Sequence, residues 1–223
     1  MLLAVALLAA APMAAANIDR RTVNDGQMVL ENVPPIPASL PGRLDRFQQL
    51  SSTQLLEWAA DGVGMYVRGR YRGVAQVQRV AARGATPERV TRLDEPVREV
   101  QRQHQGELLA YALSEGGRAD EQLFLLNPGT GDIRQLTDTP GAINNRMVWD
   151  REDQRLAFRS TQRNGASNDI WLLDIDQPDA ARLIFEAPDG ALWRPVSFSR
   201  DNRQLLVQQY TSITDSRIHL LDL

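Results

Sequence analysis

The chain contains no cysteine, which excludes disulfides, thiolate nucleophiles and thiolate metal sites. It also lacks an excess of positive charge. Its 25 basic and 28 acidic residues leave a formal charge of -3, so the net charge gives no electrostatic footprint for nucleic acid or an anionic membrane. Histidine occurs only twice, at His104 and His219. Beyond the first sixteen residues no stretch sustains the 3.6-residue apolar period of an amphipathic helix.

Those first residues, Met1 to Ala16, are uncharged and run from Leu2-Leu3-Ala4-Val5-Ala6-Leu7-Leu8 to Ala14-Ala15-Ala16, the small-residue pattern of a signal-peptidase site. The run is shorter than the ~20 residues of a membrane span. It is broken by Pro12 and followed at once by Asn17, Asp19, Arg20 and Arg21. Residues 1–16 are therefore expected to be an export leader, with no membrane span and a periplasmic destination. No basic residue precedes the apolar stretch, which points to a start codon further upstream. Residues 17–46, with their Pro-rich segment Asn32 to Pro41, are expected to form an extended arm.

What is present is a repeat. Leu56-Glu57-Trp58-Ala59-Ala60-Asp61-Gly62 leads to Met65-Tyr66-Val67, and Val100 to Gly106 leads to Leu109-Ala110-Tyr111. Met147-Val148-Trp149-Asp150-Arg151-Glu152-Asp153 leads to Leu156-Ala157-Phe158, and Val196 to Asn202 leads to Leu205-Leu206-Val207. The turn positions Gly62, Gly106, Asp153 and Asn202 lie 44, 47 and 49 residues apart and are all types that tolerate positive φ. Before them stand apolar pairs two apart, Leu56 and Trp58, Met147 and Trp149, Val196 and Phe198, which places each pair on one strand face. In the second unit Arg102 takes the aromatic position, which predicts either looser packing or an arginine reaching a wet channel.

A third apolar strand follows in each unit (77–80, 123–126, 170–173, 218–221). A fourth follows in three of them, at Arg89-Val90-Thr91, Gln135-Leu136-Thr137 and Arg182-Leu183-Ile184. Four strands in 40 to 50 residues describe a propeller blade. The expected fold class is all-β: a β-propeller of about four four-stranded antiparallel blades over 47–94, 95–138, 139–187 and 188–223. The last unit lacks its fourth strand, so the chain is expected to be part of a longer reading frame. Ser51 to Ala60 alone is ambiguous between a first strand and a short helix.

The run Asn144-Asn145-Arg146-Met147-Val148-Trp149, continuing through Ala157-Phe158-Arg159-Ser160-Thr161-Gln162-Arg163-Asn164-Gly165 to Asn168-Asp169-Ile170-Trp171, resembles the propeller of the prolyl oligopeptidase family of serine peptidases. So do Glu31 to Pro37 and Gln208 to Leu223. The blade motifs are shared with TolB-type propellers. The resemblance implies a propeller set as a lid over a following α/β-hydrolase domain that carries a Ser, Asp, His triad and acts on peptides. A TolB-like periplasmic binding propeller without chemistry is the alternative, and it would need an α/β domain ahead of the blades, for which 17–46 is too short.

No catalytic, cofactor or metal residue is assigned. The nearest approach to the nucleophile elbow G-x-S-x-G, Gly165-Ala166-Ser167-Asn168-Asp169, lacks the last glycine and falls between two strands. His104 beside a turn and His219 within a strand read as surface residues. Gly62-Val63-Gly64 and Gly129-Thr130-Gly131 open no helix and read as turns. The acid pairs Asp94-Glu95, Asp120-Glu121 and Glu152-Asp153 lack the context of a pair that would hold a substrate amine. Asp174-Ile175-Asp176 lacks the glycine and ligand spacing of a calcium loop. A propeller glycosidase or lyase would need paired carboxylates at blade centres, and none can be placed there.

Overall fold

A computed structural model of the chain describes residues 18–23, 26–48, 53–114, 116 and 119–223. The leader expected over 1–16 lies outside the described residues. The chain divides into two compact units, 1–50 and 51–223.

In the first unit, β1 (Arg20–Val23) pairs antiparallel with β2 (Met28–Glu31), and Arg20 faces Glu31 across the pair at 3.5 Å. Helix α1 (Ser39–Gln48) follows. The extended arm expected over 17–46 is thus unpaired and extended only around residues 33–37. Pro41 does not forbid the helix, because it falls in the first turn, where a missing N–H forfeits no intrahelical bond.

The second unit holds four antiparallel meanders. They are β3 (Gln54–Trp58), β4 (Met65–Tyr71), β5 (Val74–Val80) and β6 (Glu88–Arg89); β7 (Glu99–Arg102), β8 (Leu109–Leu113), β9 (Gln122–Leu126) and β10 (Ile133–Gln135); β11 (Asn144–Trp149), β12 (Arg155–Ser160), β13 (Asp169–Asp174) and β14 (Gln177–Phe185); and β15 (Leu192–Phe198), β16 (Gln204–Ser212) and β17 (Asp215–Asp222). Each sheet is a propeller blade, and the segment ambiguous between strand and helix holds the strand β3 among its described residues.

The core lies between consecutive blades. Because a strand alternates its faces, neighbouring residues of one strand serve two different interfaces. Leu109, Tyr111 and Leu113 of β8 join the cluster shared with the first blade, whereas Ala110 and Ala112 join the one shared with the third. The alanines leave room for Met147, Trp149, Leu156 and Phe158. One blade later Ala157 does the same for Trp193 and Phe198.

The first strands depart from simple alternation. β-Bulges fall between Leu55 and Glu57, Asn145 and Val148, and Pro195 and Ser197. Trp149 and Phe198 are buried, but Trp58 is 50% exposed and Val196 40% exposed. The two residues of the pair therefore do not share one environment in the first and fourth blades. Trp149 is closed over by the second blade, its Nε1 donating to Gln101 O at 3.1 Å, and among the described residues nothing covers Trp58 in this way.

The turn positions also divide. Gly62, Asp153 and Asn202 have φ of 70°, 59° and 58°. Gly106 does not share the left-handed conformation, and its glycine has another cause: a Cβ there would collide with the Gln103 side-chain oxygen. Its turn is filled from the next blade instead, since Asp153 accepts the N–H groups of His104 (2.6 Å), Gln105 (2.7 Å) and Gly106 (3.2 Å). Asn202 repeats the device, its Oδ1 accepting Arg151 N at 2.9 Å. Arg102 settles its two expectations with a third role. Its Nε donates to Trp58 O at 2.7 Å and its terminal nitrogen to Gly106 O at 2.8 Å, so it staples the first two blades.

Candidate functional site

Charge collects at the beginnings of the inner strands. Glu99 opens β7, Asn144 to Arg146 open β11, Arg194 lies early in β15, and the end of β12 and the residue before β9 add Arg159 and Glu121. Arg146 sits in the β11 bulge with φ of 54°, a conformation that costs a non-glycine residue energy and concentrates at sites of use. The bulge turns its N–H onto Glu99 Oε2 at 2.8 Å.

Burial raises the Glu99 carboxyl above its ordinary range, opposed by that hydrogen bond and by the charges of Arg146 and Arg194, while Glu121 pushes the same way as burial. Glu121 accepts from Asn145 Nδ2 at 2.5 Å and pairs with Arg98 at 3.5 Å. Arg159, opposite Asn145 in the β11–β12 register, is held below the ordinary arginine range by desolvation, against the pull of Glu121 and Glu99. Among the described residues its Nε is buried without a hydrogen-bond partner, as are Asn144 Oδ1 and Asn145 Oδ1. Buried polar atoms of this kind, beside charges shifted by burial, single out the cluster as the candidate site.

At the other end of the inner strands a small cavity of about 130 Å³ opens between Gln101, Arg102, His104, Trp149, Arg151 and Phe198. Its volume suits a few waters.

The residues weighed in the sequence are scattered over these blades. Ser167 lies in the β12–β13 loop, its Oγ accepting from Asn164 Nδ2 at 2.8 Å. His104 approaches Trp149 O at 3.4 Å, whereas His219 in β17 packs tilted against Trp193 with ring centres 5.0 Å apart and meets Gln209 at 3.1 Å. Gly62 to Gly64 close a turn around Asp61, whose carboxyl is lowered first by the N–H of Gly64 and then by that of Val63. Gly129 to Gly131 close one around Asn127. Asp174 Oδ1 accepts Asp176 N at 2.8 Å in a hairpin turn. Among the described residues no group of three or more His, Asp or Glu could hold a metal, and no helix is long and apolar enough to cross a membrane.

The sequence reading missed Glu99, Arg146, Arg159 and Arg194, because they come from three blades and share no local spacing. It also missed a buried pair repeated in two blades. Thr91 donates to Gln76 Oε1 at 2.8 Å and accepts Val77 N at 2.9 Å; Thr137 does the same with Gln122 and Leu123 N at 2.8 and 2.9 Å. A Gln and a Thr fifteen residues apart in both blades were the available signal. At the equivalent place in the third blade Asp169 is bound by Arg163 Nε at 2.6 Å.

Sequential four-stranded blades with their core between them define a β-propeller. The family model of the prolyl oligopeptidase N-terminal β-propeller domain matches residues 96–223, and the chain belongs to that family. A search of curated proteins gives no match. Among solved structures, one from a study of two prolyl endopeptidases aligns with a TM-score of 0.62 and 11% identity, over 82% of this chain and 30% of that one. TolB from Acinetobacter baumannii aligns at 0.60 and 16%, over 76% and 40%. An oligogalacturonate lyase from Vibrio parahaemolyticus aligns at 0.59 and 10%, over 88% and 53%. At these identities the likeness is one of fold. The chain spans 30 to 60% of the length of the prolyl endopeptidase and TolB structures it resembles.

Proposed function

We propose that this chain is the substrate-gating propeller of an exported serine peptidase of the prolyl oligopeptidase type, working in the periplasm over an α/β-hydrolase domain encoded further along the gene. The observation that carries the reading is the family match over residues 96–223. In this account the hydrolase domain supplies nucleophile, base and oxyanion hole. The propeller restricts entry to short or unstructured peptides, and the charged cluster of Glu99, Arg146, Arg159 and Arg194 lies on their way in. The leader-like Met1 to Ala16 supports export.

The test uses the product of the complete gene. A fluorophosphonate probe is expected to label one serine within a G-x-S-x-G sequence, and the product is expected to cleave short peptides while sparing folded proteins. Absence of any labelled serine overturns the reading.

A second reading, a TolB-like periplasmic propeller that binds a protein partner without chemistry, draws on TolB structures at 16 and 18% identity against 11% for the prolyl endopeptidase. Retention of an envelope lipoprotein by a complete product that labels no serine would favour it.

A further inference from the structure

The net charge of -3 conceals a strong asymmetry. All 25 basic residues are arginines, and residues 62–93 hold seven of them (Arg68, Arg70, Arg72, Arg79, Arg83, Arg89 and Arg92) against a single acid, Glu88. That stretch carries 7 - 1 = +6, so the rest of the chain carries 18 - 27 = -9. A concentration of one sign within an oppositely charged protein is an electrostatic address for a ligand, not a device of folding.

The blade gathers part of this charge around one ring. The guanidinium of Arg89 in β6 lies over the Tyr71 ring, 3.7 Å from its centroid, and that of Arg72, in the β4–β5 turn, lies 5.5 Å from it. With Arg92, Leu93 and Asp94 they line a pocket of about 240 Å³ at the periphery of the blade. Among the described residues Arg72, Arg89 and Arg92 have no salt bridge, whereas Arg79 on the same blade is taken up by Asp61 at 2.7 Å. Stacking on a tyrosine face occupies the flat side of a guanidinium and fixes its orientation, while its N–H donors, which lie in the plane, stay open. Three positive groups facing the one carboxylate of Asp94 leave an excess of two charges, the charge of a phosphate monoester. Planar arginine forks also match phosphate oxygens two at a time.

We infer that the pocket of Tyr71, Arg72, Arg89 and Arg92 is a binding site for a phosphate group, borne either by a soluble ligand or by a lipid headgroup. The inference is independent of the peptidase reading, since it uses no residue of the inner-strand cluster and lies outside the family match.

The test measures binding of the chain to inorganic phosphate by calorimetry, and to vesicles containing phosphatidic acid, a phosphate monoester, by sedimentation with phosphatidylcholine vesicles as the reference. Binding is expected in at least one arm and to weaken as salt rises. Binding to phosphate alone identifies a soluble ligand, and vesicle association that inorganic phosphate displaces identifies a headgroup. Arg89→Gln with Arg92→Gln is expected to weaken binding by about tenfold or more. Arg134→Gln with Arg200→Gln, exposed arginines of other blades, is expected to leave it unchanged. A melting temperature equal to that of the parent certifies that each variant is folded. No binding in either arm at low salt, or equal losses in the two double variants, overturns the inference.

Discussion

Thr137 gives its hydroxyl proton to Gln122 Oε1 at 2.8 Å and takes the backbone N–H of Leu123 at 2.9 Å, both within the buried centre of the second blade. One small side chain thereby satisfies two groups that water cannot reach. Thr137→Val keeps the shape and deletes both bonds, together with a longer one accepted from Asn144 Nδ2 at 3.3 Å, leaving a buried amide N–H and weakening the hold on Gln122. The expected loss is about 1–3 kcal/mol in chemical denaturation. Thr91→Val, at the equivalent site of the first blade, is expected to cost a similar amount; a loss confined to one blade would show that the two pairs are not equivalent.

Glu99 makes stability depend on pH. Burial raises its folded-state pKa above the unfolded one, so folding favours its protonated form. The stability it contributes is fully present below the ordinary value of 4.5 and is lost as pH rises through the raised folded value. Glu99→Gln retains an acceptor for Arg146 N and cannot ionise. Denaturation curves are expected to show the variant more stable than the parent at pH 7, with the difference vanishing below pH 4.5. A variant less stable at pH 7 would mean that the charges of Arg146 and Arg194 outweigh burial.

The fourth blade exposes a stripe that the other blades cover. Ala110, Leu123 and Leu125 of the second blade are buried against the third, and Ala157, Ile170 and Leu172 of the third are buried in the cluster with the fourth. The corresponding residues of the fourth are Leu206, Ile218 and Leu220, of which Ile218 and Leu220 are 57% and 60% exposed. The chain is expected to bind a hydrophobic dye. Ile218→Ser with Leu220→Ser should abolish most of that signal and move stability by no more than about 0.5 kcal/mol. Leu123→Ser with Leu125→Ser should instead cost about 3 kcal/mol or more.

What the sequence made legible was whatever repeats in every blade. Asp153 and Asn202 marked their turns because the left-handed conformation admits few residue types, and each second strand declared itself by apolar neighbours serving two interfaces. Trp58 misled because its burial depends on what covers a strand, which no spacing records. Arg102 looked like a defect in an aromatic series and is a staple, since its partners are carbonyls, which every residue possesses and none advertises. The cluster around Glu99 stayed hidden for a similar reason: three blades contribute to it, and only the fold brings their strand openings together.

The central structural claim is that the turns of the second and third blades are completed by the blade that follows, and Asp153 provides its sharpest test. Amide hydrogen exchange read at single residues should find His104, Gln105 and Gly106 protected, although they occupy a largely exposed turn, because all three donate to the Asp153 carboxylate. In Asp153→Ala their exchange should accelerate sharply, while the amides of β4 and β5 in the first blade keep their rates. Rapid exchange of these three amides in the parent, unchanged by the substitution, would contradict the account.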